Sequence, residues 1–330
     1  MIKTTVVGSY PMFDWLAALP SEQALVDATA VVLKTQELAG LDLIADGELY
    51  RFDVNHPQTN GMIDYFVRQL GGIRTALGRQ DIEDFRKLAG MGFRKAPAGV
   101  VEGPITEGTI DLVSDYQRVR QLTASPLKFT VTGPHMLSKT LFDKHYGDLP
   151  ALAMGLAEAL AEQVRLIDAD VFQLDEANLP GSPLEATWAA EAINVMLDAV
   201  QGIPAVHLCF GNYGGQSIQK GTWEALLGYM NSLHVDHLVL EFAFRGVDEL
   251  TRLKDLDPRI GLGIGVIDVK TTVIESAEEV ARRIEEAAGL IGEERIKYVH
   301  PDCGFWMLPR SVADGKMRAI VKGRDLFYGK

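Results

Sequence analysis

The feature that most constrains this chain is a rhythm. Short β-branched or apolar runs alternate with longer stretches of helical periodicity from near the first residue to near the last, a pattern that builds βα units around a parallel sheet. Eight runs read as strands: Thr4–Val7, Asp42–Ala45, Lys128–Val131, Val171–Leu174, Ala205–Leu208, His237–Phe242, Ile260–Val266 and Ile296–Val299. Helical patterns over Gln23–Leu38, Ala151–Ile167, Leu184–Val200, Thr222–Leu233, Ala277–Leu290 and Ser311–Val321 lie between or after them, Ala-rich with charged outer faces. Eight parallel strands with helical crossovers close into a (β/α)8 TIM barrel, with a doubly wound open sheet as the alternative.

One interval breaks the rhythm. Between Glu48 and Pro126 about eighty residues pass before the next core strand, far beyond an ordinary βα connection. We read residues 1–330 as one barrel domain in which 49–126, after the second strand, form a cap-like insertion near the mouth. It carries helical patterns over Met62–Leu70 and Gln80–Leu88 and a short hairpin near Phe93–Val101.

Composition narrows the function. Hydrophobic residues at 47% and charged residues at 23% fit a globular chain with a sizeable core and exclude disorder and coiled coil. A net charge of −13 without a Lys/Arg-rich run argues against nucleic-acid or anionic-lipid binding. No apolar run is long enough to span a membrane, and the start MIKTTVVGSYP lacks the features of a secretory signal, so a cytoplasmic location is expected. The two cysteines, Cys209 and Cys303, are too few for a disulfide framework. Their work, if any, is chemical or metal-binding.

The segment PAVHLCFGN places His207 and Cys209 two residues apart at a strand end, where the period of two aims both side chains to one side. Alone, that pair suits core packing better than a metal. Cys303, in YVHPDCGFW, sits just past the last strand, and Glu241, in HLVLEFAF, ends the sixth. All four fall at the C-terminal ends of strands, the face where barrel enzymes assemble sites from distant residues. Separations of 32 residues from Cys209 to Glu241 and 62 from Glu241 to Cys303 exclude a local zinc knuckle. One His, two Cys and one carboxylate suit Zn²⁺, which accepts nitrogen, sulfur and oxygen in a tetrahedron.

Other candidates carry less. His300 and Asp302, beside Cys303, read as orienting partners for ligands or as plain loop residues. GLGIG at 261–265 lies within a strand pattern with no Lys-Ser/Thr after it, so it implies no nucleotide site. His234 and His237 flank a strand start opposite the site and read as structural.

The segments TTVVGSYP, DGELYRFD, VTGPHMLS, FQLDEANLP, VHLCFGN, LVLEFAF, GVIDVKT and HPDCG resemble, in order and approximate spacing, the catalytic half of cobalamin-independent methionine synthase, across essentially the whole chain. The resemblance implies a barrel in which His207, Cys209, Glu241 and Cys303 hold zinc and homocysteine is the methyl acceptor. It also implies an acceptor pocket built from Val7, Gly8 and Ser9, with Glu48 and Asp175 as carboxylates. That set suits an amino acid, since carboxylates meet its ammonium while backbone N–H groups and a hydroxyl meet its carboxylate.

Two departures from the family stand out. Its additional N-terminal barrel is absent from this sequence, so the methyl donor is expected to be either 5-methyltetrahydrofolate or methylcobalamin, the latter free or on a corrinoid protein. The family's proton-donating His is replaced by Lys270, which acts as an acid only if burial lowers its pKa toward neutrality. The alternatives are alkylation of another thiol such as coenzyme M, whose sulfonate Glu48 and Asp175 would repel, and a non-catalytic zinc or amino-acid binding protein.

Overall fold

The computed structural model describes residues 1–53, 60–88, 94–212 and 219–330. Eight parallel strands make up its main sheet: β1 (Lys3–Thr4), β2 (Ile44–Ala45), β3 (Leu127–Thr132), β4 (Val171–Glu176), β5 (Ile203–Leu208), β6 (His237–Leu240), β7 (Gly261–Ile267) and β8 (Ile296–Pro301). Their order is β1-β8-β7-β6-β5-β4-β3-β2. Parallel bridges from Thr5 to Leu43 and from Ser9 to Gly47 join β1 to β2, so the sheet curls round to meet itself. Each strand lies where the alternation predicts one, and the open doubly wound sheet is set aside.

Helices cover the outside. The helix Glu22–Ala39 starts at Ser21, whose hydroxyl accepts from the Ala24 N–H at 3.0 Å, and stops at Gly40, whose φ of +86° suits glycine. The helix Ala277–Ile291 turns Val280, Ile284 and Ala287 inward at helical spacing and leaves its charged face to solvent. The expected helix over Thr222–Leu233 is instead a 3₁₀ turn, Trp223–Leu226, followed by the short helix Leu227–Ser232. Among the described residues no helix is long and apolar enough to cross a membrane.

The interval between β2 and β3 carries the helices Gly61–Val67, Arg79–Phe85 and Leu112–Arg120. Its strands Gly71–Arg74 and Val100–Thr106 pair antiparallel, and Phe142–Asp143 adds a parallel third. The expected hairpin near Phe93–Val101 begins outside the described residues, and the strand that is described there pairs with Gly71–Arg74 rather than locally. Thr132 Oγ1 donates to Met62 O at 2.6 Å, which fastens Gly61–Val67 at the C-terminal end of β3.

Strand parity decides what faces the barrel interior. Val7, Leu43, Val171, Ala205, Val239 and Tyr298 form a separate apolar cluster inside the sheet. Phe172, Leu174, Val206, Leu208, Leu238 and Leu240 pack outward into the main core. By the period of two, Gln173, Asp175, His207, Cys209, Glu241, His300 and Asp302 share the inward face. The glycines of 261–265 make room for two of them. A Cβ on Gly263 would stand 2.9 Å from His300 Nε2, and one on Gly265 would stand 2.0 Å from Asp302 Oδ1. Gly265→Ala is therefore expected to lower stability by about 1–3 kcal/mol, the usual cost of overpacking. Urea unfolding measures it, and an unchanged midpoint would refute the interior crowding described.

Candidate active site

At the C-terminal end of the sheet, His207 on β5, Cys209 just beyond it and Cys303 just beyond β8 each bring one ligand atom within 4.8 Å of the others. His207 Nδ1 lies 3.0 Å from Val239 O. A carbonyl only accepts, so this contact keeps a proton on Nδ1, while Cys303 raises the ring's pKa against the cost of burial. Nε2 is buried and has no hydrogen-bond partner. The Cys303 thiol is held well below its usual value by the hydrogen bond from Cys209, with the His207 ring assisting, while the same bond and burial push the Cys209 thiol up. Both cysteines are unbridged. An imidazole and a thiol pair sharing negative charge, converging within 4.8 Å, fit a soft divalent cation.

Glu241, just past β6, borders this trio but is not among the ligand atoms that lie within 4.8 Å of one another. Its Oε1 is buried without a partner, and its Oε2 accepts from Lys270 Nζ at 3.2 Å. Burial pushes the Glu241 carboxyl up, with Lys270 opposing. The acid role expected of Lys270 needs a lowered pKa, but the structure gives the opposite direction. Burial disfavours the ammonium, yet Glu241, Asp302 and Cys303 together outweigh it and raise Lys270 above its usual value. Lys270 also stands 4.6 Å from the centre of the Phe244 ring. Its observed work is to hold Glu241.

Asp302 holds the backbone beside Glu241. Its carboxylate accepts from the N–H groups of Phe242 and Ala243 at 2.9 Å and of Phe244 at 2.7 Å. Burial, with Glu241 adding, pushes it up to about 7. His300 is buried in the barrel interior and brought down to about 3 by that burial, so it is neutral. At the far end, His237 Nδ1 lies 3.0 Å from Asp236 Oδ2, in keeping with a structural role.

The expected acceptor residues gather beside the thiols. Glu48 is a non-glycine residue with φ +59°, a costly left-handed conformation of the kind retained at binding sites. Asp46 Oδ1 accepts the Glu48 N–H at 2.9 Å. The Glu48 carboxylate pairs with Arg51 at 3.2 Å and accepts from Thr130 Oγ1 at 2.7 Å. It occupies the space a side chain on Gly8 would need, since a Cβ there would lie 2.1 Å from Glu48 Oε1. Ser9 Oγ similarly lies 2.0 Å from where a Cβ on Gly304 would be. The Gly8–Ser9 turn is thus wedged between Glu48 and the Cys303–Gly304 turn.

Asp175 is in register with His207 across β4 and β5, and burial pushes its carboxyl up to about 7 against the pull of His207. The Val7 side chain packs in the apolar interior cluster, which leaves its backbone for recognition. Sequence reasoning missed Arg51, Thr130, Lys128 and Gln173. The signal for Arg51 was its place three residues after Glu48 in GELYR.

Asp46 supplies a pH test of this turn. Burial raises its carboxyl from 3.8 to about 7. A carboxyl raised on folding contributes fully below its unfolded pKa and loses that contribution as pH rises through the folded value. Relative to Asp46→Asn, which keeps the oxygen facing Glu48, the parent should lose stability progressively between about pH 4 and pH 7. Urea midpoints of both proteins across that window check it, and a difference that stays flat contradicts it.

Comparison with known proteins shows the family. The family model described as cobalamin-independent synthase, catalytic domain, matches residues 2–323. A methionine synthase of Thermococcus kodakarensis is 30% identical over 342 residues, covering 99% of this chain and 93% of the relative. A 2-hydroxypropyl-CoM lyase of Xanthobacter autotrophicus is 29% identical over 374 residues, covering 98% of this chain and 94% of the relative. The solved structure of a B12-independent methionine synthase from Shewanella sp. W3-18-1 in complex with selenomethionine superposes with a TM-score of 0.81 at 23% identity, covering 100% of this chain and 98% of that one. With the family model spanning nearly its whole length, this chain belongs to the cobalamin-independent methionine synthase catalytic-domain family.

Proposed function

We propose that this protein is a zinc-dependent methyltransferase that forms methionine from homocysteine, with 5-methyltetrahydrofolate or a methylcorrinoid, free or protein-bound, as donor. The observation that carries the reading is the convergence of His207, Cys209 and Cys303 within 4.8 Å, beside the partnerless His207 Nε2 and Glu241 Oε1. His207, Cys209, Cys303 and Glu241 would hold the ion. A bound zinc would supply a site on which the acceptor thiol is present as thiolate at neutral pH. Two thiolates and a carboxylate against a 2+ ion leave about one negative charge, which favours a nucleophilic sulfur over the strong Lewis acidity a zinc hydrolase needs.

The remaining residues bind and orient. Asp175 faces the substrate ammonium, the Gly8–Ser9 turn faces its carboxylate, and Glu48 lines the same pocket. Lys270 is assigned to holding Glu241 rather than to proton donation. The described residues of the 49–126 interval serve as a cap at the rim of the mouth, a reading supported by the bond from Thr132 Oγ1 to Met62 O. The relative named as a coenzyme M lyase keeps a second acceptor class in view. Arg51 already neutralises Glu48, so discrimination against a sulfonate falls chiefly on Asp175.

Purified protein should carry about one zinc per chain. Cys209→Ser and Cys303→Ser should each lose zinc and methyl transfer together, while stoichiometric zinc in both variants would refute the ligand set. Methionine formation is assayed with methyltetrahydrofolate and methylcobalamin offered separately, and with coenzyme M as rival acceptor. Zinc binding without transfer to homocysteine from either donor would leave a binding protein instead. Lys270→Ala should surrender zinc to a chelator faster than the parent, and unaltered zinc retention with unaltered turnover would make Lys270 a bystander.

A further inference from the structure

Lys128 is a buried amine, its pKa brought down to about 7 by burial against the pull of Asp175 and Glu48, that the reaction above does not use. It projects from β3 into the barrel and is 1% exposed, and Gln173 on β4 is 0% exposed. Lys128 Nζ donates to Val6 O and to Gln173 Oε1, the latter at 2.9 Å. Gln173 Nε2 donates to Asp175 Oδ1 at 2.8 Å and to Val7 O at 3.1 Å. The Val7 carbonyl only accepts, so the NH₂ of Gln173 must face Val7 and Asp175 and its amide oxygen must face Lys128. Reversing the amide would set its oxygen against the Val7 carbonyl oxygen.

The same two side chains grip both walls of the proposed acceptor pocket. Val6 and Val7 lead directly into the Gly8–Ser9 turn, and Asp175 is the opposite wall. We propose that Lys128 and Gln173 are positioning residues that set the α-amino-acid specificity of the site, fixing the Asp175 carboxylate relative to the Gly8–Ser9 turn without touching the substrate. The inference rests on the reading of Asp175 as the ammonium partner.

Two variants test it. Lys128→Met removes the donor that orients the amide, and Gln173→Glu keeps an ion pair with Lys128 while replacing the donor to Asp175 with an acceptor. Each should raise the homocysteine KM about tenfold or more, the effect of one lost hydrogen bond to a charged group, with kcat changed less than about threefold. Zinc content should stay at the parent value. Inhibition by 4-mercaptobutanoate, which is homocysteine without its amino group, should be the same in parent and variants, because that probe gives Asp175 nothing to bind. A parental homocysteine KM in the folded, zinc-loaded Gln173→Glu protein would overturn the proposal, as would an equal loss of affinity for homocysteine and 4-mercaptobutanoate. If the parent itself neither binds homocysteine by calorimetry nor methylates it, the functional reading fails first and this inference falls with it.

Discussion

The two-residue period of the strands is the constraint on which everything at the mouth depends. Val171, Ala205 and Val239 point into the barrel and help form its apolar floor. The next residues of the same parity are Gln173, Asp175, His207, Cys209 and Glu241. A slip of one residue in β4, β5 or β6 would turn this polar set outward and bring Leu174, Leu208 or Leu240 inside. The apolar floor and the chemistry above it are therefore specified together, by one register.

A polar interior of this kind is stable only where its members satisfy one another, because an unpaired buried charge is expensive. Most do. Arg51 answers Glu48, Lys270 answers Glu241, Gln173 joins Lys128 to Asp175, and Asp302 takes three backbone N–H groups. Against that background the partnerless atoms are informative. His207 Nε2 and Glu241 Oε1 belong to the same corner as the two thiols, and a shared cation is the partner that would satisfy all of them at once.

Much of this was legible in the sequence because a parallel strand buried on both faces reads as a short, nearly continuous apolar run. All eight core strands and the positions of the thiols, His207 and Glu241 at their ends follow from that. The strand Gly71–Arg74 did not, since it is short and glycine-rich and its partner Val100–Thr106 lies beyond the helix Arg79–Phe85. The role of Asp302 was half visible. Its place beside Cys303 was plain, but its bonds go to backbone groups that carry no sequence signal. Lys128 was hidden by its own strand, where a lysine ordinarily marks a solvent-facing position. The sign of the Lys270 shift was out of reach for a different reason, because it depends on Glu241, 29 residues earlier and on another strand.

The central claim is that sulfur, nitrogen and oxygen from β5, β6 and β8 surround one ion. X-ray absorption at the zinc edge of the purified, zinc-loaded protein measures this most directly. The account predicts a single zinc environment with two sulfur scatterers at about 2.3 Å and nitrogen or oxygen near 2.0–2.2 Å. A zinc shell of nitrogen and oxygen alone, or a well-folded protein that takes up no zinc when it is supplied, would contradict it.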